Sequence, residues 1–165
     1  MHYYLLLIFI SNKIYYSISD KEIKSLVDKN CRPLKYILNN FKDNHDGTIS
    51  DMATGLMWQK AGSDDSLIFS EAISYIVKIN NEKFAHYDDW RLPTIEELIS
   101  LIEKNKNQKN DLYISELFDK QQSWCWSSNT LSSGSRWVVL FNDGYVYWRI
   151  DDFSYYVRGV RAIQY

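Results

Sequence analysis

The stretch from Arg136 to Ile150 constrains this chain more than any other segment. RWVVLFNDGYVYWRI is two short runs of strand-forming residues around an Asn142, Asp143, Gly144 turn. Alternation puts Trp137, Val139 and Phe141 on one face with Val146, Trp148 and Ile150, and that face reads as core. The opposite face carries Arg136, Val138, Leu140, Tyr145, Tyr147 and Arg149, a mixture of rings, apolar surface and guanidinium groups of the kind that interfaces favour. A hairpin with two such faces needs a second covering: a packed helix, a ligand or a neighbouring subunit.

The rest of the chain must supply the core. With 165 residues, 45% apolar and 24% charged, it is long enough for one domain and too short for two with a linker. The first apolar run, Tyr3 to Ile10, is too short to span a bilayer. Small residues at Ser17 and Ser19 make residues 1–19 read as a short secretory signal ending before Asp20, although no Lys or Arg precedes the run and Lys13 interrupts its tail. An amino-terminal strand is the other reading. Export places the protein in the secreted, periplasmic or cell-surface compartment. Residues 20–40 carry Ile23, Leu26, Val27, Leu34, Ile37 and Leu38 at loose helical spacing, broken around Cys31 and Pro33, and read as a helical extension. The domain proper then covers residues 41–165. Asp46 and Gly47 form a hairpin turn, Thr54 and Gly55 a second one, and Leu56 to Trp58 a buried strand. A helix begins at Ser70, and a second just after Pro93, where Thr94 and Glu97 make a capping box. From Trp124 onward the chain is strand-like.

Several chemistries are disfavoured. A net charge of −2 provides no basic field for nucleic acid. His2, His45 and His86 have no zinc spacing, and aligning Gly47 with the sixth position of a calcium loop puts Lys42 first and Ala53 twelfth, which excludes an EF-hand. No metal or other cofactor is expected. Acidic pairs such as Asp88 with Asp89, Glu96 with Glu97 and Asp151 with Asp152 sit at turns or in a helix's first turn, which suits capping better than glycosidase chemistry. Cys125 has no evident base, so the chain reads as non-catalytic; a disulfide between Cys31 and Cys125 and a pair of free thiols both stay open. Arg91, Arg158 and Arg161 sit in apolar contexts and read as structural groups in carboxylate pairs, with Asp89 or Glu97 as candidate partners; anion binding is the other reading.

Five segments, DGTISDMATGLMWQ, DWRLPTIEEL, WCWSS, WVVLFNDG and YVRGVR, together resemble the Lcl C-terminal domain family, a bacterial group named after a collagen-like adhesin. The resemblance covers about residues 41–163. It implies an α+β, C-type-lectin-like fold related to that of formylglycine-generating enzymes, with two helices packed on short twisted antiparallel sheets. Those enzymes act through cysteines near the end of the domain, and no cysteine follows Cys125, so their activity is not implied here. The closing segment also resembles the variable region of retroelement-diversified binding proteins. In that frame Trp58, Trp90, Trp124, Trp126, Trp137 and Phe141 are core, while Thr130 to Arg136, Val138, Tyr145, Tyr147, Trp148, Arg149, Asp151 and Asp152 are exchangeable positions that contact ligand. Trp148 is a conflict, buried by alternation and free by resemblance. The adhesin's domain is associated with sulfated glycans and trimers; this chain departs from it in being acidic overall and lacking a collagen-like repeat. The reading is an exported binding module for a glycan or surface protein, without a stable membrane span and with homo-oligomerisation open. The alternatives are an assembly subunit of the cell envelope and, third, an enzyme related to the formylglycine-generating group.

Overall fold

In the computed structural model, which describes residues 17–164, turn chemistry organises the first sheet. The elements in chain order are α1 (Asp20–Ile23), β1 (Phe41–Asp43), β2 (Thr48–Asp51), β3 (Leu56–Gln59), α2 (Phe69–Asn81), α3 (Ile95–Ser100), β4 (Trp124–Ser132), β5 (Ser135–Leu140), β6 (Tyr145–Ile150) and β7 (Val160–Ala162). Between β1 and β2, Asp46 Oδ1 accepts from the Thr48 N–H at 3.0 Å and from its hydroxyl at 2.6 Å, and Gly47 takes the φ of +89° that the turn needs. Asp51 does the same at the turn between β2 and β3, accepting from the Asn40 and Ala53 N–H groups and the Thr54 hydroxyl. The result is an antiparallel sheet of order β1-β2-β3-β7 and a second antiparallel sheet of order β4-β5-β6. The fold is α+β.

Both expected helices form. α2 starts at Phe69, with the Glu71 carboxylate accepting from the Ile68 N–H, and buries Phe69, Ala72, Ile76 and Ile79. α3 carries the capping box: Thr94 Oγ1 accepts from the Glu97 N–H at 3.2 Å, and Glu97 Oε2 from the Thr94 N–H at 2.8 Å. Leu98, Leu101 and Ile102 are fully buried along one stripe. The extension over residues 20–40 departs from the helical expectation. Only the single turn α1 is helical, because Asp28 Oδ1 accepts from the Asn30 and Arg32 N–H groups and Cys31 takes a φ of +60°, folding the chain into a turn before Pro33. Ile23 and Val27 still reach the core.

The carboxyl-terminal segment joins the two sheets. Tyr156 exchanges backbone hydrogen bonds with Trp124 and Trp126 on β4, and four residues later β7 pairs with β3 while Val160 also pairs with Arg91. Arg158 lies between these attachments with no exposure. Its guanidinium donates to the carbonyls of Gln59 at 2.8 Å and Asp119 at 3.1 Å, to that of Lys60, and to Gln122 Oε1, and it lies over the Phe118 ring. The carboxylate partner expected for Arg158 is replaced by a cage of main-chain oxygens. Arg91 and Arg161 do take carboxylates: Arg91 grips Glu97 in a bidentate pair at 2.7 and 2.6 Å, and Arg161 grips Asp89 at 2.6 and 3.1 Å.

The expected leader lies almost wholly outside the described residues; its last three, Ser17 to Ser19, are folded onto the domain. Ile18 is buried, donates its N–H to the Thr130 carbonyl, and accepts at its own carbonyl the indole N–H of buried Trp137 at 3.1 Å.

Two outcomes follow for urea unfolding. Arg158→Leu strands several buried carbonyls and lowers stability by roughly 2–4 kcal/mol; an unchanged midpoint counts against the cage as the joint between the sheets. A chain starting at Asp20 loses the Ile18 side chain and the Trp137 acceptor and is less stable by about 3 kcal/mol than the full chain.

Candidate functional site

The β5–β6 hairpin has the register that alternation requires, with Trp137 opposite Trp148, Val139 opposite Val146 and Val138 opposite Tyr147. The two strands differ in what covers them. On the second face of β5, Val138 is completely buried and Leu140 nearly so in one core cluster with Phe69, Ala72, Ile76 and Ile79 of α2, and Phe69 meets the Trp126 ring edge-on at 5.6 Å. Val138 is therefore core, contrary to its expected place on a recognition surface. Arg136 is also withdrawn: its guanidinium lies 3.7 Å from the Phe69 ring centroid and its Nε is 3.3 Å from Asp151 Oδ1. A helix covering, one of the three expected options, accounts for β5.

β6 is an edge strand and stays open. Tyr145, Tyr147, Trp148 and Ile150 are 37, 43, 42 and 45% exposed, and Phe153 just beyond is 52% exposed. Trp148 points to the Trp137 face, as alternation demands, yet remains exposed, because the core ends at Trp137 under Ile18 and the edge strand runs past it. Alternation fixes direction, and only packing fixes burial. Ile150 shares the parity of Trp148 and escapes for the same reason. Of the other exchangeable positions, Ser132 to Gly134 form an exposed turn and Asp152 is exposed, while Ser135 is buried and Asp151 is held by Arg136.

Arg149 is held in a defined pose. Its Nε donates to the Tyr155 hydroxyl at 2.8 Å and its Nη1 to the Trp148 carbonyl at 2.9 Å, while the guanidinium lies over the Tyr147 ring at 4.3 Å and near the Trp124 ring at 5.9 Å. Trp124 stacks on Tyr155 at 5.5 Å, and Phe153 stacks on Tyr155 at 6.5 Å. At the opposite end of β6, the Val146 N–H donates to the Cys31 carbonyl, and Arg32 lies over the rings of Tyr145 and Tyr113 at 4.9 and 5.1 Å. The tyrosines beneath it raise the Arg32 guanidinium above its ordinary pKa. The hairpin alone points to Tyr145, Tyr147 and Arg149; Arg32, Ile150 and Phe153 carried no local signal, since their proximity comes from the extension and from the turn after β6. Rigid rings with ordered guanidinium groups between them can stack on planar or apolar surfaces and donate hydrogen bonds at their margins.

The cysteines are both free. Cys125 is fully buried in β4 with its thiol directed at the Gln122 carbonyl, and burial pushes it up to about 11. Cys31 is half-buried at the β6 edge. The disulfide option is not realised. Among the described residues no group of three or more His, Cys, Asp or Glu side chains is placed to hold a metal ion, and no helix is long and apolar enough to cross a membrane. Trp58, Trp90, Trp126, Trp137 and Phe141 are buried in the two core clusters, whereas Trp124, expected in the core as well, is only half-buried at the start of β4 with its ring stacked on Tyr155. An open cleft of about 580 Å³ between α2 and the segment after β3 shares no residue with the hairpin.

A family model described as the Lcl C-terminal domain matches residues 47–161. Comparison with curated proteins finds no match.

The thiols separate in two measurements. In the native chain Cys31 reacts with a maleimide and Cys125 does so only after unfolding. With Cys125 raised to about 11 in the fold against about 8.5 when unfolded, its contribution to stability is complete below pH ~8.5 and is lost as pH rises towards 11; the Cys125→Ala chain shows a shallower alkaline decline.

Proposed function

The chain belongs to the Lcl C-terminal domain family, and from that premise we propose that it is an exported, non-catalytic binding module recognising a glycan or surface protein through the Tyr, Trp and Arg surface of β6. In this reading the two helices and two antiparallel sheets are a C-type-lectin-like frame that presents the hairpin. The observation that carries it is the run of exposed large apolar side chains from Tyr145 to Phe153, beside a guanidinium held in place by Tyr155. Contiguous exposed aromatic surface is costly unless something covers it, and ordered rings surrender little conformational entropy on binding. A non-catalytic role is supported by the burial of Cys125, whose thiol is kept protonated and out of reach. Export, to the secreted, periplasmic or cell-surface compartment, is supported by the apolar run Tyr3 to Ile10 and the small residues after it.

A second reading, an assembly subunit of the cell envelope, draws on a different surface. A groove of about 540 Å³ between the extension and α3 is lined by Leu26, Leu34, Ile37, Leu56 and Ile99, and Leu38 beside this segment is 93% exposed.

The discriminating experiment is a glycan and surface-protein array probed with the native chain and with a Tyr145→Ala, Tyr147→Ala, Arg149→Ala triple variant. Binding that vanishes in the variant, with its melting temperature within a few degrees of native, is the expected result. Retained binding removes the hairpin from the proposal, and light scattering that shows an obligate oligomer favours the assembly reading.

A further inference from the structure

The six arginines divide by what neutralises them. Arg91, Arg136 and Arg161 each hold a carboxylate, and Arg158 is enclosed by carbonyls. Arg32 and Arg149 differ: among the described residues no carboxylate lies within ion-pair distance of either. Both instead stack on tyrosines of β6, Arg32 on Tyr145 and Arg149 on Tyr147. An acidic chain thus carries, beside one strand, two ordered cations with no carboxylate of its own at ion-pair distance among the described residues.

The same strand has an open edge. β6 pairs with β5 on one side, and the Val146 N–H points to the other, where the Cys31 carbonyl takes it. With the two-residue period of a strand, the N–H groups of Trp148 and Ile150 point the same way, and neither has an acceptor among the described residues. Their spacing matches the carbonyls of another strand, a ligand feature that a saccharide does not repeat. The side chains flanking the edge alternate in chemistry. By register Tyr147 and Arg149 belong to one face and exposed Trp148 and Ile150 to the other, with the Tyr147 and Trp148 rings stacked at 6.1 Å where the faces meet.

We propose that the β6 edge takes up an extended acidic segment of a partner protein as an added strand. Its carboxylates face Arg149 and Arg32, and its alternate, apolar side chains lie against Trp148 and Ile150. The inference rests on the reading of the hairpin as a recognition face and gives that face a ligand class. The Cys31 contact at Val146 sets one end of the docking site and the Phe153 N–H on the Ile150 carbonyl the other, so the added strand pairs through Trp148 and the Ile150 N–H and its leading carboxylate falls towards Arg32. The carbonyl of Trp148, which already accepts from Arg149 Nη1, has a second lone pair for the incoming strand.

The test is fluorescence anisotropy on the full-length chain with a labelled peptide of about eight residues alternating Glu and Val, the length of one strand. Three further probes are the same peptide methylated on alternate backbone nitrogens, a Lys and Val peptide, and a sulfated oligosaccharide. The Glu and Val peptide is expected to bind and to weaken with added salt; the methylated and lysine peptides are expected to fail. Arg32→Gln with Arg149→Gln weakens binding about tenfold or more. Trp148→Pro, which removes an edge N–H that β5 does not use, abolishes it. Absence of binding by the Glu and Val peptide, equal binding of the methylated one, or sulfated-oligosaccharide binding undiminished by Trp148→Pro would each overturn the inference. If array binding still depends on Tyr145, Tyr147 and Arg149 while the peptide does not bind, the recognition face stands and only its ligand class falls. Loss of both dependencies removes the face itself.

Discussion

A buried cation without a carboxylate holds this molecule together. Arg158 has no contact with solvent, and burial pulls its guanidinium below the ordinary arginine pKa. It is kept in place by carbonyls from the end of β3 and from the loop before β4, segments of the chain that share no strand pairing with each other. A guanidinium offers five donors in a plane, so one side chain can satisfy oxygens arriving from several directions, which no apolar residue of the same volume could do. Removing it would leave those oxygens dry and unpaired, and the two sheets would lose their common fixed point.

The position of the recognition surface follows from that joint. With residues 155–162 threaded between the sheets, Tyr155 packs under Trp124 and Trp126, and α2 is laid across β5, where Phe69 seals Val138. Phe69 and its helix share a core cluster with Val138 and Leu140 of the central strand, whereas Tyr147 and Trp148 on the edge strand stay exposed. β6 is therefore supported from one side by β5, and from beneath by Tyr155 through Arg149, while its outer rings stay wet. Rigid support and an open edge come from the same packing.

Arginine pairing shows how far local sequence can be read. That Arg91 should find Glu97 was legible, because an arginine in an apolar context needs an anion and Glu97 lies six positions on; Arg161 reaches Asp89 across 72 positions, and only the need for a carboxylate, not its source, could be read locally. That Arg158 would take carbonyls instead was not, since its partners lie 36 to 99 positions away and main-chain oxygens leave no mark in a sequence. Arg32 shows the same limit from the other side. The turn set by Asp28 returns the extension to β6, and nothing near Arg32 in the chain announces Tyr145 as its neighbour.

By itself the sequence determined the elements with local causes: the Asp46–Gly47 turn, the Thr94–Glu97 cap, the register of the β5–β6 hairpin and the face each of its side chains points to. Those features depend on residues within a few positions of one another, where backbone geometry leaves few choices. The tertiary structure alone decided which of those faces met water. Val138 and Tyr147 sit opposite each other on one face, the first sealed and the second open, and Trp148 points to the core side yet stays exposed. Burial depends on where a distant helix and an amino-terminal segment come to rest, and those positions are set by long-range packing that no local pattern encodes.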